Sequence, residues 1–234
     1  MSLSNLRKAL KAETNKEQAK ILQRFFKTGP GEYGDGDIFL GIKIPVLRNI
    51  ARQHLSLTFD ELQELIVSTI HEERMSALMI LVQCFPKCTN EEKDKIFKFY
   101  IKNTKNINNW DLVDLSAPQI VGGYLIDKDK QILEKLSDSN NLWEKRISVL
   151  ATFQFIKEKQ FDTTLKIADK LLLDKHDLIH KAVGWMLREI GKRDLKTEES
   201  FLKDRYKTMP RTMLRYAIEK FPEKKRKAYL AGTI

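Results

Sequence analysis

The sequence predicts an all-α protein, a right-handed α-solenoid of stacked helix pairs. Three observations carry that reading. Apolar residues recur at three- and four-residue spacing along nearly the whole chain, and strict alternation is rare. Gly and Pro number 10 and 6 in 234 residues, too few for a β-sandwich, a propeller or a disordered chain. Finally, one pattern returns about every 36 residues: Arg74 in HEERMSALMILV, Trp110 in NNWDLVDLSAPQIV, Arg146 in LWEKRISVLATF and Lys181 in LIHKAVGWMLRE.

Taken in order, the N-terminal stretch MSLSNLRKALKAE is amphipathic and charged and has no apolar signal core, so a secretory signal is not expected. Helices are then read at 15–27, 45–54, 58–68, 71–85, 90–103, 110–125, 127–137, 142–157, 161–173, 177–191, 194–206 and 210–219. Cap-like residues open several of them: Thr58 before FDELQEL, Thr89 before NEEKDKIF, Asp177 before LIHKAVGW. The one long connection is the glycine-rich loop at 28–45, ending on Pro45, which suits a first helical turn. One turn beyond the repeated positions stand Leu78, Asp114, Leu150 and Trp185, and between the helices a second set begins near Thr89, Lys128 and Phe161. Two helices per period of this size fall in the HEAT, armadillo and TPR range, where neighbours stack because one pair cannot bury its apolar stripe alone. Trp110, Asp114, Arg146, Lys181 and Trp185 are therefore expected on a common concave face. No linker divides the array, so residues 1–234 are expected to form a single domain.

Charge narrows the function. There are 42 Lys and Arg against 32 acidic residues, net +10, and residues 175–234 alone carry +8 of it. A basic half on a near-neutral half points to a polyanion partner on the concave face, nucleic acid being the commonest, or to a merely lysine-rich solvated surface. No stretch approaches the roughly 18 apolar residues of a membrane helix. Two cysteines, Cys84 and Cys88, make no disulfide scaffold and suit a reducing cytoplasm.

Most motif candidates fall away. GPGEYG (Gly29–Gly34) matches a dinucleotide-binding glycine pattern in form, but no strand precedes it and Glu32, Asp35 and Asp37 would repel a pyrophosphate. It reads as a structural loop with left-handed glycines, and its acidity favours a capping role over contact with DNA. Neither the two cysteines nor His54, His71, His176 and His180 assemble a metal set, and no nucleophile elbow is present. Trp110 and Asp114 are different. Spaced four apart, they share one helix face, and the acid interrupts a column otherwise filled by Leu78, Leu150 and Trp185. Two readings stand at this point: Asp114 caps or pairs with Arg146 while Trp110 packs in the core, or the pair forms a site for sugars, bases and phosphate.

Four segments favour the second reading: FLGIKIPVLR (39–48), NNWDLVDLSAP (108–118), NLWEKRISVL (141–150) and HKAVGWMLRE (180–189). In this order and spacing, from about residue 20 to about 220, the chain resembles the AlkD-like DNA alkylation repair family, alkylpurine DNA glycosylases built of HEAT-like repeats. The resemblance implies that Asp114, Trp110 and Trp185 are the catalytic set and that Arg146 contacts phosphate. Basic residues such as Lys181, Arg188 and Arg211 would add to the DNA grip. It implies hydrolysis of the N-glycosidic bond of N3- and N7-alkylpurines in duplex DNA, without metal or cofactor, the lesion staying largely stacked rather than flipped. Phe25 stands where some relatives have a cleft tyrosine, so that hydroxyl contact is absent. A cytoplasmic monomer with no obligate protein partner is expected. The competing class is a non-catalytic helical-repeat scaffold that binds nucleic acid or protein on its basic concave face.

Overall fold

The computed structural model describes residues 2–234, and among them no strand forms; a single parallel bridge joins Ile38 to Ile70. The chain divides into two compact units, one ending at Ser116 and the other spanning Ala117–Ile234.

The first unit holds α1 (Leu3–Ala12), α2 (Lys16–Phe25), α3 (Ile44–Gln53), α4 (Phe59–Ile66), α5 (His71–Cys84), α6 (Asn90–Lys102) and the start of α7 (Trp110–Ala117). Local chemistry sets their limits. Asn15 caps α2 by accepting the Gln18 N–H at 2.9 Å, and Thr58 and Thr89 build full capping boxes with Glu61 and Glu92. Pro45 sits in the first turn of α3, where its missing N–H costs nothing. Helix α3 packs on α5, as does α4, so α5 is enclosed on all sides: residues His71 to Leu81 are buried without a break. The sequence HEER at its head is therefore buried charge, and every member must find a partner.

The second unit opens on a π-helical turn at Pro118–Gly122. It contains the single turn α8 (Gly123–Leu125), α9 (Gln131–Ser137), α10 (Leu142–Lys157), α11 (Asp162–Lys170), α12 (Asp177–Gly191), α13 (Leu195–Lys203), α14 (Arg211–Ala217) and α15 (Glu223–Ala231). Here the repeat is visible as packing: α10 lies on α12 and α12 on α14, with α9, α11 and α13 behind them. Close approach of α12 to α14 depends on Gly184, where a Cβ would stand 2.4 Å from the Met213 carbonyl oxygen.

The all-α, helical-repeat expectation agrees with this structure. Three local differences stand out. Helix α1 forms on the stripe Leu3, Leu6 and Leu10, all buried. Helix α15 forms although its sequence, EKKRKAYLA, buries only Tyr229. The helix expected at 110–125 is regular only to Ala117, because Pro118 lacks an N–H and the turn widens there.

Candidate active site

In the first unit a cavity of about 310 Å³ opens beside Trp110. Its walls are Leu22 and Phe25 from α2 and Phe26 at its C-cap, Phe39, Ile42 and Lys43 from the following loop, Leu47 from α3, His71, Glu72 and Met75 from α5, and Trp110 and Asp111 from α7. Phe26 and Phe39 are buried, Trp110 is half-buried, and Phe25 is 61% exposed at the rim. The aromatic rings form a stack. Trp110 lies on Phe26 (centroids 5.1 Å, planes 22° apart), Phe26 on Phe39 (5.0 Å, 14°), and Phe39 on the His71 ring (4.3 Å, 21°). Phe25 meets Phe26 and Trp110 edge-on, at 5.1 and 5.9 Å. Such a wall offers π faces to a planar or cationic group.

Behind the wall lies the buried charge. Glu72 accepts the backbone N–H groups of Leu40, Gly41 and Ile42 at 2.9, 2.8 and 3.3 Å, which pins the FLGIKIP loop over the cavity. Gly41 must be glycine: its φ is +84°, and a Cβ would sit 2.1 Å from the Asn15 carbonyl oxygen. Glu73 holds Arg7 from α1 at 3.1 Å. Arg74 donates to the Ser68 carbonyl at 2.6 Å and ion-pairs with Asp37 at 2.7 Å. His71 lies between two carboxylates, Asp37 (3.3 Å) and Asp111 (2.8 Å). A carboxylate only accepts, so both ring nitrogens must donate and the ring is an imidazolium. Burial disfavours that charge, but the Asp111 carboxylate and the hydrogen bonds to Asp111 and Asp37 outweigh it and lift the pKa to about 9. Burial would also raise Asp37, yet the His71 bond and the Arg74 charge hold it below the usual carboxylate range.

Asp114 stands one turn after Trp110 on α7 and is half-buried. Its helix is tied to α6 through the buried Tyr100, whose hydroxyl lies 2.9 Å from Ser116 Oγ. Burial pushes the Tyr100 phenol far above its usual range, and the negative charge of Asp114 adds to the rise.

The remaining sequence candidates belong to the second unit. Trp185 on α12 is half-buried; its indole N–H donates to Glu189 at 3.3 Å and its ring lies 6.1 Å from Phe153. Arg146 is buried, with one guanidinium nitrogen donating to the Leu178 carbonyl at 2.6 Å. Both this arginine and Arg74 thus donate to a backbone carbonyl, but in different directions: Arg74 to Ser68 just before its own helix, Arg146 to Leu178 on α12. Lys181 pairs with Asp177 at 2.6 Å, Arg188 with Glu219, and exposed Arg211 donates to the Leu230 carbonyl at 2.7 Å. Exchanging the exposed Lys181–Asp177 pair for a phosphate costs little, because such pairs contribute about 0–1 kcal/mol.

Sequence reasoning missed His71, Asp111, Asp37 and Glu72. The available signal was HEER, four charged or titratable residues heading an otherwise apolar helix. Among the described residues no group of three His, Cys, Asp or Glu is placed to hold a metal ion, and no helix is long and apolar enough to cross a membrane.

Comparison with known proteins bears on this arrangement. No curated protein matches the sequence. A solved structure from Enterococcus faecalis, described as a predicted DNA alkylation repair enzyme, superposes with a TM-score of 0.71 at 18% identity, covering 90% of this chain and 98% of its own. At that identity the likeness speaks for the fold. The sequence model of the DNA alkylation repair enzymes matches residues 6–221, which takes in the aromatic wall, Asp114 and Trp185 alike; the chain belongs to the DNA alkylation repair enzyme family.

Proposed function

We propose that this protein is a monofunctional DNA glycosylase acting on cationic N3- and N7-alkylpurines in duplex DNA. The observation that carries the reading is Trp110: it closes a stack of aromatic rings at the mouth of a largely apolar cavity, one helical turn before Asp114. Alkylation at N3 or N7 gives the base a positive charge and makes it a good leaving group. The glycosidic electron pair leaves with the base, which departs neutral, and C1′ of the deoxyribose gains oxocarbenium character. The Asp114 carboxylate stabilises that charge and orients a water whose oxygen bonds to C1′; one water proton passes to the carboxylate or to solvent. Trp110 and Trp185 offer π faces that attract a cationic base more than a neutral one. Lys181, Arg188 and Arg211 are assigned to the phosphate backbone, each exchanging its internal partner for a phosphate oxygen, whereas Arg146, buried on the Leu178 carbonyl, would reach a phosphate only by giving up that bond.

The test is release of free base from a duplex carrying N7-methylguanine, with EDTA present, by wild type and Asp114→Asn. Release by wild type alone, with duplex binding nearly equal in both and weakening as salt rises, is the expected result. Excision of uracil as fast as N7-methylguanine would contradict recognition by charge. Tight binding with no release by either protein would make the chain a non-catalytic helical-repeat scaffold.

A further inference from the structure

We propose that His71 is a positioning residue for the reaction, a charged ring that fixes the first turn of α7 and with it Trp110 and Asp114. The proposal rests on the reading of those two residues given above. Two routes connect His71 to Trp110, and together they close a ring of contacts. Through hydrogen bonds, His71 Nε2 donates to Asp111 Oδ2 at 2.8 Å, and Asp111 is the residue next to Trp110. Through stacking, His71 supports Phe39, which supports Phe26, which supports Trp110, at centroid distances of 4.3, 5.0 and 5.1 Å. Around it the α7 start is held by local bonds, the Trp110 N–H donating to the Asn109 side chain at 2.8 Å and the Leu112 N–H to Asp111 Oδ1 at 2.9 Å, and by a longer bond from Asn108 Nδ2 to Asp37 Oδ1 at 3.3 Å. His71 is thus the long-range tie that grips the helix itself, spanning 40 residues of sequence to reach Asp111, and through Asp37 it also meets the acceptor of Asn108.

The tie depends on charge because of what faces the ring. Asp111 from α7 and Asp37 from the loop after α2 both accept from it, while Arg74, on its own helix, neutralises the second carboxylate. With the imidazolium present, two cations meet two anions. A neutral ring keeps one N–H, so one carboxylate loses its donor and faces a lone pair instead. Asp111 is the side-chain-exposed partner of the two, 14% against 3% for Asp37, so the α7 turn is the part free to move. His71 pKa near 9 places that loss at alkaline pH.

The experiment compares wild type with His71→Gln in two ways. In single-turnover release of N7-methylguanine at saturating enzyme, the wild-type to variant ratio is followed from pH 6.5 to 9.5, which cancels the substrate's own pH dependence. The expected ratio is about 10- to 100-fold near neutral pH, the size of effect that an ångström of misplacement produces. It should fall toward one above pH 9, with duplex affinity changed by less than about twofold. A ratio constant across this range overturns the proposal. Tryptophan emission without DNA supplies the second readout. Wild type should show a transition near pH 9 that is absent from Trp110→Phe and from His71→Gln. Should wild type release no base at any pH, the glycosylase reading has failed, and the emission titration alone decides. No transition, or one that persists in His71→Gln, overturns the role of His71. If His71→Gln does not fold, Asp111→Asn takes its place with the same expectations, and the wild-type titration stands regardless.

Discussion

Replacing Glu72 with Gln tests whether one buried carboxylate holds the loop that roofs the cavity. Its two oxygens accept three backbone N–H groups, Oε1 from Gly41 and Ile42 and Oε2 from Leu40. A glutamine keeps one acceptor oxygen. In its better orientation that oxygen stays on Gly41 and Ile42, and the amide NH2 is left opposing the Leu40 N–H, donor against donor. One buried N–H without a partner costs about 1–3 kcal/mol, and the two surviving bonds lose their charge assistance, about 0.5–1 kcal/mol each. Relief from burying a charge offsets part of this, leaving roughly 3 kcal/mol. Amide hydrogen exchange at Leu40, Gly41 and Ile42 reads the effect where it acts: about 3 kcal/mol corresponds to roughly 150-fold faster exchange, against little change in the α10 and α12 amides. Glu72→Ala orphans all three donors and should exceed the Gln variant. Acceleration below about fivefold, or an alanine variant no worse than glutamine, would refute the argument that the carboxylate anchors the loop.

Two further outcomes follow from the same geometry. Gly41→Ala puts a Cβ 2.1 Å from the Asn15 carbonyl oxygen and 2.6 Å from the Ala19 nitrogen at a φ of +84°. The clash involves backbone on both sides, so a loss of ~3 kcal/mol or more is expected in urea unfolding, and a loss under ~1 kcal/mol would mean the loop is free to shift. Glu198 is buried, its Oε1 has no hydrogen-bond partner, and burial followed by the neighbouring Glu199 charge raises its pKa from 4.5 to about 8. The folded state therefore binds this proton more tightly than the unfolded chain, and stability falls as pH rises from about 4.5 through about 8. Glu198→Gln should raise the melting temperature at pH 8, by an amount equivalent to about 1–3 kcal/mol, and change little at pH 5; an equal shift at both pH values would contradict the titration.

Legibility in the sequence followed the range of the interaction. Helices 142–157 and 177–191 were readable to the residue because an apolar period acts within one segment, although the cap of the second is His176, which accepts the Leu178 N–H, and not the expected Asp177. Of the glycines in GPGEYG expected to be left-handed, Gly31 has a positive φ but Gly29 and Gly34 do not, and Gly36 and Gly41, which do, lie beyond that motif. Helix α15 was not, since a highly charged segment that buries one tyrosine leaves no stripe to read. Within the candidate site, Trp110 and Asp114 were visible as a break in a column, a feature of one helix. The partners that hold that helix were invisible. The stretches that meet there are 71–74, 37–42 and 108–111, brought together by folding rather than by spacing.

HEER nonetheless contained the question, if not its answer. Four ionisable residues heading a helix that is buried all round cannot be left to water, so each implies a partner elsewhere in the chain. The structure supplies them in four directions: Asp111 for His71, the Leu40–Ile42 backbone for Glu72, Arg7 for Glu73, and Asp37 with the Ser68 carbonyl for Arg74. Two of those directions lead to the walls of the cavity, and one leads to the turn that begins with Trp110. Buried polar groups of this kind demand defined geometry, because a half-made bond costs more than an apolar contact would. An apolar helix head could have packed α5 as well, but it would have left the loop over the cavity and the start of α7 free to settle in several positions. The charges at the head of α5 are thus best understood as what gives the aromatic wall a single arrangement.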